Sequence, residues 1–231
     1  MSSATTERGS IRVRNTEPRD FARITAISQK VYPSDEPWLP EHLEIHLNVF
    51  PEGQFVAVDA DDQVIGMAAS LILSWDDYDR LDNYNDLTDS GYFHNHDPSG
   101  RTLYGAEVMV DPDHRRRGIG SLIYDARRNL VEEMGLLRIR AGARLPGYAA
   151  VADQLSPRDY VKEVIRGDRH DPTLSFQIRH GFKVLAVIPR YLTHDPRSRN
   201  YAALIEWLNR KVASNEEAER HDGAMAQASR P

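Results

Sequence analysis

The 231-residue chain has 35 Asp and Glu residues against 29 Lys and Arg, and it contains no cysteine. Disulfides, thiolate metal sites and a cysteine nucleophile are therefore excluded, and the net charge of −6 argues against nucleic acid as the main partner. No run of 18 apolar residues occurs, so no transmembrane helix is expected, and the polar segment Met1–Ser10 lacks the apolar core of a secretory signal. We expect a cytoplasmic protein with a single domain over residues 11–210, between disordered segments at 1–10 and 211–231.

The first half of the chain predicts a strand, two helices and a pair of strands. In chain order these are a strand at Ile11–Arg14, a helix carrying Phe21, Ile24, Ile27 and Val31, a helix at Glu41–Val49, and strands at Phe55–Asp59 and Val64–Leu73. The segment from Trp75 to Gly100 is acidic and predicts irregular structure.

The second half alternates strands with helices. Its elements are a strand at Leu103–Val110, a helix after Gly120 that ends at Gly135, a strand at Leu136–Ala141, helices opened by Ser156-Pro157 and Asp171-Pro172, and strands at Val184–Ile188 and Tyr201–Trp207. This order predicts an α/β fold, in which a mixed sheet carries helices on both faces.

The segment Val108–Ser121 is the most informative part of the sequence. An apolar strand ends at Asp111-Pro112, and a basic triplet, two glycines and an amphipathic helix follow. A loop of this kind points its backbone N–H groups into one concavity, and the helix N-terminus adds partial positive charge. The segment therefore predicts binding of a phosphorylated cofactor.

Two common phosphate-binding motifs do not fit this segment. It lacks the Gly-Lys-Ser/Thr ending of a P-loop, and Ile123 stands where a dinucleotide fingerprint has its third glycine. The pattern Arg/Gln-x-x-Gly-x-Gly/Ala does fit, through Arg115, Gly118 and Gly120. In this setting the segment resembles the acyl-CoA site of the GNAT superfamily of N-acetyltransferases.

A second segment resembles the same family. The short helix after Asp171 ends at Gly181-Phe182 before an apolar strand, as the later helix and strand of that family do. The resemblance spans roughly Ile11 to Leu208, and it implies a mixed, largely antiparallel central sheet. The chain is also similar to the acetyltransferase domain that some bacterial proteins carry before a nitrilase-like hydrolase domain. We expect this chain to be too short to include the hydrolase domain. Dimers are common in the family, so a homodimer is an alternative to a monomer.

The resemblance implies that acetyl-CoA is the co-substrate. We expect the backbones of Met109 and Val110 to bind the pantetheine arm, with one amide serving the oxyanion. The pyrophosphate contacts are expected mainly from backbone N–H groups, with a side-chain contact from Arg115 or a neighbour; these residues are Arg115, Arg116, Arg117, Gly118, Ile119, Gly120 and Ser121. The alternative for the basic triplet is a solvated turn or a nucleic-acid patch.

Glu107 is the candidate general base. An ammonium acceptor must lose a proton before it attacks the thioester, which a carboxylate can accept directly or through water. Glu107 lies on the strand that leads into the loop, where the family often has an acidic base. Strict alternation would place it on one face with Leu103, Gly105 and Met109, and burial there would raise its pKa. The alternative is a solvent-facing or ion-paired residue.

The chain departs from the family pattern at Gln177. Many members have a tyrosine at this position, four residues before the glycine of Gly-Phe, and it protonates the leaving thiolate. Tyr191, Tyr148 and Tyr104 are the candidate replacements, and we select Tyr191. The predicted function is acetyl transfer to a primary amine of a small molecule or peptide. A non-catalytic acyl-CoA-binding regulatory module is the alternative, because a glutamine cannot act as a general acid.

Two further clusters remain open. The stretch Asp76–Asp89 holds six Asp among aromatic residues, which suits a cationic amine, although a solvated acidic loop is the more economical interpretation. His42 and His46 lie four residues apart, and His94 and His96 flank Asn95, but no His-Glu-x-x-His motif is present. We therefore expect no metal, although His94 or Tyr92 could line the acceptor pocket.

Overall fold

The structure is a computed structural model that describes residues 6–8, 10–33 and 37–228. Its strands are β1 (Thr6–Arg8), β2 (Ile11–Asn15), β3 (Phe55–Val58), β4 (Val64–Leu73), β5 (Thr102–Val110), β6 (Arg138–Arg144), β7 (Lys183–Ile188) and β8 (Ala202–Leu208). Its helices are α1 (Phe21–Val31), α2 (Pro40–Val49), α3 (Tyr84–Thr88), α4 (Ile119–Glu133), α5 (Pro157–Arg166), α6 (Leu174–Arg179) and α7 (Asn215–Ala228).

The strands form one sheet in the order β1-β2-β3-β4-β5-β6-β8-β7. Every neighbouring pair is antiparallel except β5 and β6, which are parallel and joined by the crossover helix α4. The predicted fold class, a mixed and largely antiparallel sheet with helices on both faces, is confirmed.

Two apolar cores lie on opposite faces of the sheet. On one face, α4 buries residues such as Ile123 and Val131 against a cluster that includes Leu103 of β5. On the other face, Ile24 and Ile27 of α1 pack in a cluster with Tyr104. Strand β5 contributes side chains to both clusters, so it lies between the two cores.

The predicted disordered flanks differ from the structure where they are described. β1 lies within residues 1–10, and α7 lies within residues 211–231. Polar contacts hold α7 to the strands, among them Lys183 Nζ to Asp222 Oδ1 at 2.6 Å and His221 Nδ1 to Glu206 Oε1 at 2.9 Å. A polar composition does not reveal such contacts, which explains why residues 211–231 were predicted to be disordered. Residues 1–5, 9 and 229–231 lie outside the described part.

Two smaller differences concern helices. The acidic segment predicted to be irregular contains α3. The helix predicted from Asp171-Pro172 begins at Leu174, and the Asp171 carboxylate accepts hydrogen bonds from the N–H groups of Thr173 and Leu174, both at 2.9 Å. Among the described helices, none has both the length and the apolar character needed to cross a membrane.

Candidate active site

A gap opens between β5 and β6. The two strands pair only where Thr102–Tyr104 meets Arg138–Arg140, so residues 105–110 and 141–144 form its two walls. On the β5 wall, a register shift between Gly105 and Glu107, opposite Ala69 and Ser70, forms a β-bulge at Ala106. We call this space the β5–β6 gap.

The backbone of Val110 faces the gap. The N–H of Asp111 donates to the carbonyl oxygen of Ile65 at 2.9 Å, toward β4. Because backbone groups alternate in direction along an antiparallel strand, Met109 also points its N–H toward β4, and Val110 points its N–H away from it. Of the two residues predicted to offer backbone hydrogen bonds, Val110 has the suitable orientation, while the Met109 side chain is buried.

The bulge determines which face carries Glu107. Leu103 belongs to the α4-side cluster and Gly105 abuts Arg127 of α4, whereas Met109 packs on the opposite face. Glu107 contacts Tyr32, which packs on the Met109 side. The prediction that Glu107 shares a face with Leu103 and Gly105 was therefore wrong, because the extra residue at the bulge breaks strict alternation. The prediction that it shares a face with Met109 agrees with this placement.

The Glu107 carboxylate is held by several hydrogen-bond donors, one of which is the Trp38 side chain. Its Oε1 accepts hydrogen bonds from the Tyr32 hydroxyl at 2.9 Å and from the N–H of Val108 at 2.9 Å. Burial raises the pKa of Glu107 above its ordinary value, although these donors and the nearby charge of Arg144 act in the opposite direction. A carboxylate with a raised pKa is a better proton acceptor near neutral pH.

Arg144, on the β6 wall, supports Tyr32. Its guanidinium lies 5.1 Å from the centre of the Tyr32 ring and forms two hydrogen bonds of 2.8 Å with Asp195. Neither Tyr32 nor Arg144 lies in a sequence motif, so the sequence does not indicate a role for either residue.

Tyr191 lies near the narrow end of the gap, on the same face as Glu107. Its hydroxyl is 2.6 Å from the hydroxyl of Tyr104, and its ring packs so closely on Gly142 of β6 that a Cβ there would lie 2.1 Å from it. Burial raises the pKa of Tyr191 above its ordinary value, so its hydroxyl stays protonated at neutral pH. Tyr148, in contrast, belongs to the α4-side cluster and donates to the carbonyl oxygen of Leu155 at 3.1 Å.

The loop before α4 is anchored at Asp111. This buried carboxylate accepts hydrogen bonds from Arg23 at 2.6 Å and from Lys30 at 3.3 Å. The loop then turns through two left-handed positions, Arg116 with φ of 64° and Gly118 with φ of 81°. The side chains of Arg115, Arg116 and Arg117 are exposed. The first N–H groups of a helix have no partner within it, so those at the start of α4, from Ile119, are available to an anion. Binding of the pyrophosphate there remains a prediction.

α6 packs against the first turn of α4. A Cβ on Gly120 would lie 3.1 Å from the Phe176 ring, and the Ser121 hydroxyl is 2.9 Å from His180 Nε2. The side chain of Ser121 is therefore engaged by His180, the residue after α6, which leaves its backbone N–H as the group suited to a phosphate.

Gln177 occupies the position at which many family members have a tyrosine, and its side chain contacts a tyrosine of α4. Its Nε2 donates to the Tyr124 hydroxyl of α4 at 2.9 Å. Its buried Oε1 has no hydrogen-bond partner within the described part of the chain. The spacing of Tyr124 on α4 predicts only a core position, so the sequence does not indicate this contact.

The acidic segment and the histidines have local roles in the structure. Asp79, Asp82 and Asp86 accept hydrogen bonds from nearby backbone N–H groups and shape their own turns. His46 is buried, stacks on Phe93 at 3.8 Å between ring centres, and bonds the carbonyl oxygen of Gly91 at 2.7 Å through Nε2. Its partner in the sequence pair, His42, instead packs against the ring of Tyr92.

Comparisons with known proteins identify the family of the chain. Residues 21–152 match the model of the Acetyltransferase (GNAT) family. The chain is 32% identical over 201 residues to "Uncharacterized N-acetyltransferase YkwB" of Bacillus subtilis, covering 85% of this chain and 88% of that protein. It is 42% identical over 197 residues to "Probable hydrolase YhcX" of the same organism, covering 85% of this chain but only 38% of YhcX. The partial match fits the predicted similarity to a domain fused to a hydrolase.

The fold is shared with solved structures. The GNAT-like decarboxylase GphF, in complex with isobutyryl-CoA, superposes with a TM-score of 0.70 at 20% identity, covering 85% of this chain and 98% of that one. The family model spans more than half of the 231 residues, and YkwB matches along most of its length. The chain therefore belongs to the GNAT family of acetyltransferases.

Proposed function

We propose that the protein transfers an acetyl group from acetyl-CoA to a primary amine, with Glu107 as the general base. The observation that carries the proposal is the position of Glu107: a partly buried carboxylate with a raised pKa, on the wall of the β5–β6 gap. The pyrophosphate of the co-substrate would bind the backbone of residues 116–121, and the arginines at 115–117 would add exposed positive charge.

The proposed reaction is a direct transfer. Glu107 accepts a proton from the acceptor ammonium, by contact or through one water, and the amine nitrogen then attacks the thioester carbon. The N–H of Val110 stabilises the oxyanion that forms. The carbon–sulfur bond then breaks, and the CoA thiolate leaves with a proton for which Tyr191 is the proposed donor. The nitrogen releases its second proton to solvent as the amide forms, and a proton from solvent restores the Tyr191 hydroxyl.

The experiment measures thiol release from acetyl-CoA against polyamines, amino acids, aminoglycosides, arylalkylamines and peptides. With an accepted amine, Glu107→Gln should lower kcat by about 10²–10⁴-fold while calorimetric CoA affinity is kept. Glu133→Gln, an exposed carboxylate on α4, is the matched control. An unchanged kcat in Glu107→Gln would remove this residue from the mechanism.

Two hydroxyl variants test the proton donor. Tyr191→Phe should lower kcat, whereas Tyr104→Phe removes only the partner of that hydroxyl and should have the smaller effect. The reverse order would assign the donor role to Tyr104.

A non-catalytic acyl-CoA-binding module is the second candidate, and it is favoured by Gln177. CoA binding without turnover over the whole panel would support it. Because GphF, which shares the fold, is a GNAT-like decarboxylase, decarboxylation of a carboxyacyl-CoA should be measured beside acetyl transfer.

A further inference from the structure

A second cavity opens on the Glu107 face of the sheet, at the end opposite the phosphate loop. It has a volume of about 380 Å³ and lies between the first residues of β5 and β6, the end of β8, and α7. Five arginines and one histidine line it against three carboxylates, although the protein as a whole is acidic. We call it the arginine cavity.

The floor of the cavity holds more buried positive charge than its carboxylate can balance. Glu206 Oε2 accepts from Arg140 Nε at 2.7 Å and lies 3.6 Å from Arg138 Nη1. The other oxygen, Oε1, is 2.9 Å from His221 Nδ1. Arg140 is only 7% exposed, so two arginines share one carboxylate in a place where water cannot screen them fully.

The remaining carboxylates do not restore the balance. Glu217 is bonded to Arg101 Nη1 at 3.0 Å and to the N–H of Ser214 at 2.8 Å. Asp76 is exposed at the rim. Burial lowers the pKa of Arg140 to about 10, and the positive charges of Arg138 and Arg80 lower it in the same direction.

The shape of the cavity suits a planar anionic group. The Arg140 guanidinium lies over the Trp75 ring, 4.4 Å from its centre, which fixes the plane of its N–H donors. Arg220 of α7 also lines the cavity, and its Nη2 lies 3.9 Å from Glu216 Oε1, an exposed ion pair. Carboxylates and phosphates are the groups that arginine forks bind best.

The cavity is separate from the β5–β6 gap. Arg140 and Arg144 are four residues apart on β6, roughly 13 Å along a strand, and the buried rings of Tyr104 and Trp75 pack 6.1 Å apart between the two spaces. An anion here would therefore not be the acyl donor at the phosphate loop.

We propose that the arginine cavity binds a small organic anion with two or more carboxylate or phosphate groups, and that the bound anion joins α7 to the sheet. The ligand would neutralise the shared charge of Arg138 and Arg140 and contact Arg220. This inference does not depend on acetyl transfer, because it concerns binding alone.

The test is calorimetric titration of the full chain, saturated with CoA, with citrate or with inorganic pyrophosphate. CoA fills the phosphate loop, and sodium chloride at the same ionic strength accounts for general screening. Binding of citrate alone assigns carboxylates, binding of pyrophosphate alone assigns phosphates, and binding of both assigns the shared chemistry.

Variants locate the binding. Arg80→Gln and Arg220→Gln each remove one exposed cavity arginine and should weaken binding by about tenfold or more, the effect of losing a charge-assisted hydrogen bond. Arg210→Gln removes an exposed arginine that pairs with Asp222 outside the cavity, and it should leave binding unchanged. Hydrogen exchange should also slow in α7 when the anion binds. The proposal would be overturned if neither citrate nor pyrophosphate bound, or if all three variants bound the anion equally well.

Discussion

The guanidinium of Arg127 donates a hydrogen bond of 2.6 Å to the backbone carbonyl oxygen of Glu107. The same nitrogen donates to the carbonyl oxygen of Ala69 at 2.6 Å, and Nε donates to the Ser70 hydroxyl at 3.0 Å. A fully buried arginine from α4 thus joins both strands at the bulge, from the face opposite the Glu107 side chain. The orientation of the proposed base therefore depends on a residue that does not reach the gap.

Gly105 makes room for this arginine, which gives the first prediction. A Cβ at residue 105 would lie 2.8 Å from Arg127 Nη1, so Gly105→Ala should displace the guanidinium and loosen the bulge. We expect kcat to fall about tenfold or more, since small misplacements of catalytic groups are costly, while CoA affinity measured by calorimetry changes little.

The matched control for Gly105 is Gly223→Ala. A Cβ at Gly223, within α7, meets no atom within 4 Å, and alanine there should stabilise the helix by roughly 0.5–1 kcal/mol. Normal kcat in Gly105→Ala would show that Arg127 does not position Glu107.

Tyr32→Phe tests the proton-accepting role of Glu107 through its pH dependence. The Tyr32 hydroxyl bonds the ionised carboxylate and so lowers the pKa of Glu107, against the larger raising effect of burial. Without this hydrogen bond the pKa should rise further. The acid limb of the kcat/KM profile, which requires an ionised Glu107, should therefore move to higher pH.

Tyr201→Phe is the control for that shift, because Tyr201 packs against Tyr148 in the α4-side cluster. Its acid limb should coincide with that of the unaltered protein. A Tyr32→Phe limb at unchanged or lower pH would contradict the assignment of the limb to Glu107.

The sequence predicted the fold better than it predicted the site. Strand β4 agrees with its predicted span at both ends, because a continuous apolar run marks a buried strand. The loop glycines were also recognisable, since Gly118 needs a left-handed φ. The face of Glu107 was not predictable, because a single bulged residue changes it and depends on Arg127 and Gly105 from separate segments. Tyr32 contacts Glu107 across 75 positions of sequence, and α7 is held by ion pairs rather than by periodicity.

Gly118→Ala should weaken CoA binding more than it weakens the fold. Gly118 precedes α4 with φ of 81°, and a left-handed alanine costs roughly 1–2 kcal/mol. Relief of that strain would turn the N–H groups of the loop away from the pyrophosphate. Gly167→Ala is closely matched, since Gly167 ends α5 with φ of 82° and has no neighbour near its missing Cβ. Both variants should lose similar free energy of unfolding, and only Gly118→Ala should lose CoA affinity. Equal CoA affinity in the two variants would refute the loop assignment.

Glu206 should make the stability of the protein sensitive to acid. Burial alone would raise the pKa of Glu206, but the hydrogen bond to His221 and the charges of Arg140 and Arg138 outweigh it and lower the pKa to about 2. The folded state then binds protons less readily than the unfolded state, whose carboxyl keeps its ordinary pKa of 4.5. The stabilisation is therefore present above pH 4.5 and is lost as the pH falls toward about 2, by about 3 kcal/mol.

Urea unfolding of Glu206→Gln and of the unaltered protein at several pH values measures this effect. At neutral pH the variant should lose about 3–5 kcal/mol, because Arg138 and Arg140 keep their buried charge without a partner. Between pH 4.5 and about 2 the difference between the two proteins should shrink, since Glu206 is protonated in the unfolded state of the unaltered protein while it is still ionised in the folded state. Glu216→Gln, an exposed carboxylate on α7, should follow the unaltered protein throughout. A difference that stays constant with pH would mean that Glu206 stabilises the fold by packing and not by its charge.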